Sequence, residues 1–282
     1  MRKFLISLLI PTFVFAGEFR FGKGTTNIKS KIFGYSSNIK EDITTFSLVE
    51  IHKNIFKTRF FYGYDITFIS SKREGKYLDL YNNSVETSPL PSTYKPYMEY
   101  ELQGLDAQLD LGYDLLNKNK RKTYLGMAIS LGISVPYIKN YNSNSNSNDT
   151  KTYLPDSKTK ITTYRIGFST KFAYNIFKRL SFFSFLTYAY QTGKIENKAL
   201  GVNSDADGHY ITAGLGVKFY LFEYEKKLWK ITISPRLYIT AGYKYDLWIL
   251  NGVEVKNISL LVNKDDLKIT NQVGFIGIGY SF

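Results

Sequence analysis

The sequence predicts an all-β chain that crosses a membrane as a transmembrane antiparallel up-and-down β-barrel of about ten strands, with eight and twelve as the neighbouring solutions. Three observations predict it. Apolar and polar residues alternate with period 2 in almost every segment of the chain. The alternation persists for eleven or more residues, enough to cross a bilayer when tilted, whereas soluble strands average about five or six. The connections between segments are short and long in turn. Composition agrees: 44% hydrophobic residues, 24 Tyr and 21 Phe make the chain too apolar and too aromatic for disorder. Its 282 residues suit one large barrel domain.

The N-terminus reads as an export signal. Arg2 and Lys3 precede an apolar stretch from Phe4 to Phe15, and Val14-Phe15-Ala16 offers a cleavage point after Ala16. Interrupted by Pro11, this stretch is too short to span ~30 Å of hydrocarbon as a helix. Residues 1–16 are therefore expected to be a signal peptide and residues 17–282 the barrel domain. No later run of 18 apolar residues exists, which excludes a helical inner-membrane protein.

Ten strand segments follow, at about 18–28, 43–52, 58–70, 97–113, 123–135, 161–175, 180–192, 209–222, 229–243 and 268–282. The fifth is the cleanest, with Leu125, Met127, Ile129, Leu131, Ile133 and Val135 on one face and small or polar residues between them. In the second and seventh, Phe46, Leu48, Val49 and Ile51, and Phe182, Phe183 and Phe185, occupy both parities and leave the facing open. Short connections are expected around Asn54, Asn119, Phe177 and Glu225, and connections of about fifteen to twenty-five residues around Lys31, Asn83, Ser145, Lys198 and Glu254. The Asn/Ser run Asn140–Asn148 cannot bury apolar surface and belongs to the longest of these.

In the last segment Ile276, Ile278, Tyr280 and the terminal Phe282 share one face, with Gly277, Gly279 and Ser281 on the other. This resembles the C-terminal strand of bacterial outer-membrane β-barrel proteins. The resemblance implies recognition by the barrel-assembly machinery, an outer-membrane location, and membrane lipid and lipopolysaccharide as surroundings.

The formal charge of +13 raises nucleic acid as a partner, but the cations gather in the short turns. Lys53, Lys57 and Arg59, then Lys118, Lys120, Arg121 and Lys122, then Lys178 and Arg179, then Lys226, Lys227 and Lys230 ring one rim of the barrel. That placement fits lipid head groups or simple solvation and argues against nucleic acid. With no Cys, and only His52 and His209 as imidazoles, neither a metal site nor a cofactor is expected, and no Gly-rich phosphate loop or nucleophile elbow occurs.

Turning the greasier parity outward leaves the strand charges inside: Asp65, Glu99, Glu101, Asp106 and Asp110 against Arg20, Arg165, Lys171, Lys218 and Arg236. In the fourth segment this requires the parity to slip at Gly104, which a β-bulge would explain. Five acids and five bases in a narrow lumen should pair and plug it, giving a structural or surface-interaction protein; a small channel or transporter is the alternative.

One stretch carries potential chemistry. Extended backbone through Ser204-Asp205-Ala206-Asp207-Gly208-His209-Tyr210 puts Asp205, Asp207 and His209 on one side. The spacing resembles the Asp-His element of the omptins, ten-stranded outer-membrane proteases, and implies His209 as base, Asp207 as its partner and Asp205 as a nearby acid. The opposing Asp-x-Asp pair of that family has no counterpart, since residues 71–97 offer only Glu74, Asp79 and Glu86. The expected function is therefore not enzymatic, with omptin-like proteolysis as the second alternative. No residue pattern specifies a ligand or an oligomeric state.

Overall fold

The computed structural model describes residues 17–32, 35–53, 55–77, 81–82, 97–116, 123–141, 156–199, 202–223, 226–228, 231–233, 236–253 and 265–280. The expected signal peptide at residues 1–16, most of the Asn/Ser run, Lys118 to Lys122, Lys230 and Phe282 lie outside them.

Ten long antiparallel strands form the wall: Glu18–Ile32, Tyr35–His52, Phe60–Ser71, Tyr97–Asp114, Thr123–Ser134, Ser157–Asn175, Leu180–Asn197, Val202–Tyr220, Leu237–Val253 and Asp265–Tyr280. Each pairs with the next in sequence, and the tenth pairs with the first from Glu18↔Gly279 to Lys31↔Asp266, so the barrel closes. Paired residues can be followed once round the wall from Glu18 through Val49, Asp65, Gln108, Gly132, Arg165, Gln191, Gly208, Leu250 and Leu267. The path returns to the first strand at Ser30, twelve residues higher. At about 3.3 Å per residue and about 4.8 Å between strands, that shear tilts the strands by roughly 40°, within the range of membrane barrels.

Three expectations need correction. The ninth strand is Leu237–Val253, not 229–243; the alternating residues before it form a small hairpin, Lys226–Leu228 with Ile231–Ile233. Two of the connections expected to be long are tight, because the strands run on: the first strand ends at Ile32 and the second starts at Tyr35, and the seventh ends at Asn197 and the eighth starts at Val202. Gly104 carries no bulge. The register of the fourth strand passes it unbroken, from Asp106↔Ser134 to Gln103↔Tyr137. The extra residue lies in the third strand, where Ser71 to Arg73 face Glu101 and Leu102 before pairing resumes at Glu74↔Tyr100.

The wall changes character along its length. Call the end holding Glu18 and the 176–179 turn the lower end. There the outward residues are large and apolar, among them Phe19, Phe68, Leu111, Ile129, Phe168 and Leu215, each more than 40% exposed, while the inward parity is polar. In the upper part the pattern inverts. Outward positions become Lys23 and Lys29, Lys40 and Asp42, Thr192 and Lys194, or Asp205 and Asp207, and inward positions become Ile28, Ile43, Ile195 and Leu250. Oil outside and charge inside suits a segment in lipid; charge outside and oil inside suits one in water. The ambiguous segments resolve on the same rule: Phe46 faces out beside buried Thr45 and Ser47, and Phe183 faces in at 8% exposure. Phe183 fits because Gly216 stands opposite, where an added Cβ would lie 2.7 Å from its ring.

Candidate functional site

The inward face of the lower half gathers the ionised side chains. Asp106 and Arg165, on the fourth and sixth strands, form a two-pronged pair at 2.6 and 2.9 Å. Ser134 donates to Asp106, Trp248 Nε1 donates to Ser134 at 3.0 Å, and the Arg165 guanidinium lies 3.8 Å from the centre of the Tyr210 ring. Gly132, the cross-strand partner of Arg165, makes this seat: a Cβ there would stand 2.4 Å from Nε. Tyr210 donates to Asp246 at 3.1 Å, and Lys244 joins Asp246 (3.7 Å) to Asp65 (3.1 Å). Lys171 pairs with Asp110 at 2.6 Å, and Gln108 donates to the same carboxylate. At the lower mouth Glu18 accepts from Arg20 at 2.5 Å, Lys218 at 3.1 Å and Tyr238 at 3.0 Å.

Of the expected lumen charges, the structure brings together Arg20, Asp65, Asp106, Asp110, Arg165, Lys171 and Lys218. It places three elsewhere. Because the fourth strand keeps one parity, buried Tyr100 and Leu102 face in, and Glu99 and Glu101 face out, where Arg73 reaches Glu99 and Tyr141 donates to Glu101. Arg236 is exposed in the connection before the ninth strand. The residues missed are Glu18, Lys244 and Asp246. Lys244 and Asp246 followed from the misplaced ninth strand; the run Tyr243, Tyr245, Leu247 against Lys244, Asp246, Trp248 holds the signal. Among the described residues one further inward carboxylate, Glu41, lies higher and accepts from the Tyr100 hydroxyl.

Two volumes frame this network. Below and beside it is a cavity of about 580 Å³, bounded by Glu18, Arg20, Lys53, Tyr124, Phe183 and Lys218 and open at the lower mouth. Much of the Lys53 side chain is exposed, but its ammonium tucks in 3.7 Å from the centre of the Tyr124 ring. Loss of water there pulls its pKa down to about 8; Lys218 pushes the same way and Asp114 opposes. Above the network, one apolar cluster fills the lumen: Ile28, Ile43, Ile69, Leu102, Ile161, Ala189, Ile195, Ala206, Tyr210, Trp248, Leu250, Leu267, Ile269 and Val273, with Ile39 and Ile138 packed on it. With Ile138 continuing the fifth strand, every strand contributes. The residual gap beside Leu102 and Trp248 is about 10 Å³, at or below the room one water needs.

Asp205, Asp207 and His209 share the outward face of the eighth strand, while Ala206 and Tyr210 between and beyond them are buried. Tyr188 Oη lies 2.9 Å from His209 Nδ1 with the rings stacked, and Tyr190 donates to Asp207 at 3.2 Å. The three therefore look away from the lumen, at the top of the apolar belt.

No protein-family model matches the chain, and neither does any curated protein. The solved outer-membrane protease OmpT of Escherichia coli matches it in structure with a TM-score of 0.53 at 10% identity, over 94% of this chain and 96% of that one. The chain folds as an outer-membrane β-barrel. A second barrel, the translocator domain of the autotransporter NalP from Neisseria meningitidis, matches with a TM-score of 0.38 at 12% identity, over 95% of this chain and 88% of that one. In an outer-membrane barrel the apolar belt meets lipid.

Proposed function

We propose that the chain is an integral outer-membrane barrel whose lumen does not conduct, with a structural or surface-interaction role exercised at its outer end. The observation that carries this reading is the apolar cluster drawn from all ten strands above the ion pairs. An ion crossing it would shed its water against Ile, Leu and Trp side chains, at a cost of many kcal/mol. The network directly beneath does not form a path either, because Asp65, Asp106, Asp110, Arg165, Lys171, Lys244 and Asp246 each face an opposite partner within 3.7 Å. Above the belt the wall continues as a stem with a polar exterior, which supports a reading in which the barrel carries its outer connections clear of the lipid.

Planar bilayers test this. Purified mature chain should insert without discrete conductance steps. Steps that change size on neutralising Arg165 or Asp110 would replace the reading with a channel.

A further inference from the structure

We propose that the cavity at the lower mouth, which opens to the periplasm if the polar-walled upper part stands outside the cell, is a binding site for a small organic anion with a flat apolar body. The proposal uses the barrel reading only for the compartment the mouth opens to. At about 580 Å³ the cavity has the size of a small-molecule pocket. Its deeper charges are matched, Lys171 by Asp110 and Lys244 by Asp65. Its rim is not. Arg20, Lys53 and Lys218 all line it, and Glu18, which accepts from both Arg20 and Lys218, is the buried carboxylate among them. Asp114 approaches Lys53 without lining the cavity, and Glu50, at the edge, accepts from Tyr64. The lining cations Arg20, Lys53, Lys171, Lys218 and Lys244 outnumber the lining carboxylates Glu18, Glu50, Asp65 and Asp106 by one, and Glu18 is shared between Arg20 and Lys218, so a ligand carboxylate gains charge-assisted hydrogen bonds at the rim.

The walls supply the other half. Tyr124, Phe183, Phe185 and Tyr238 turn ring surface inward, and Gly214 and Gly216 leave Phe185 and Phe183 the space to lie flat against the sheet. Lys53, Arg20 and Lys218 lie over the Tyr124, Phe183 and Tyr238 rings, so a planar apolar body packs against ring edges and Phe185 while its charged end meets the same cations. A bare inorganic anion would use the rim alone and a neutral aromatic the walls alone; a ligand carrying both groups uses both.

The test is titration of the barrel in zwitterionic nanodiscs with 2-naphthoate, followed by saturation-transfer NMR against empty nanodiscs. Binding should be about tenfold tighter than for 2-naphthamide or inorganic phosphate. It should fall about tenfold in Lys53→Gln/Lys218→Gln and recover in Lys53→Arg/Lys218→Arg. If the double Gln variant loses heat-modifiable gel mobility, Lys53→Gln alone, at an exposed turn, should still weaken binding about threefold. Equal binding of naphthoate and naphthamide, a signal no greater than in empty nanodiscs, or affinity unmoved by these substitutions overturns the site. A conducting bilayer trace with naphthoate binding intact would remove the seal and leave the site standing.

Discussion

Replacing Arg165 by Met lowers the stability of the folded barrel by about 3–5 kcal/mol, measured as a shift of the urea unfolding midpoint in lipid vesicles. The size follows from what remains: Asp106, 4% exposed, loses both guanidinium bonds and is left with the hydroxyl of Ser134 and a long contact to Tyr210 at 3.5 Å. Removing both partners should cost much less, so Arg165→Met with Asp106→Leu should recover most of the loss. A double variant as unstable as the single one would show that the pair matters through packing against Tyr210 and Trp248 and not through charge.

Ile129→Lys, near the middle of the apolar belt on the fifth strand, should cost about 2–4 kcal/mol, because its ammonium faces hydrocarbon. Thr192→Lys, on the same outward parity but above the belt between Tyr190 and Lys194, should change stability by less than about 0.5 kcal/mol. The same assay reads both. Equal costs at the two sites would mean that lipid covers the wall over its whole height.

The lipid-facing half of this molecule is legible in its sequence because there the pattern has one meaning: Leu125 to Ile133 with small residues between can only place the large side chains outward. The upper half is not, since its code is reversed. Ile28, Ile39 and Ile43 are as periodic as the belt residues, but they point inward, so the first and second strands look as if they stop where they leave the membrane. The same reversal explains Glu99 and Glu101. Assuming that charge always faces the lumen demanded a bulge at Gly104, whereas the strand simply rises out of lipid and its outward charges meet water. Lys244 and Asp246 were hidden differently, by the Lys226–Ile233 hairpin, whose alternation imitates the start of a strand. Asp205, Asp207 and His209 share one side by spacing alone; which side depends on the inward burial of Ala206 and Tyr210, which spacing does not reveal.

The wall turns inside out part-way up, and the absence of native cysteine allows this to be measured residue by residue. Single cysteines along the outward face of the eighth strand, from Phe219 up to Asp205, would be spin-labelled in vesicles and their collision rates with oxygen and with a water-soluble nickel chelate compared. Oxygen should dominate from Phe219 to Ile211 and the nickel chelate from His209 upward, with inward Thr212 and Ala206 shielded from both. Oxygen dominance continuing to Asp205, or nickel access at Val217 and Leu215, would contradict it.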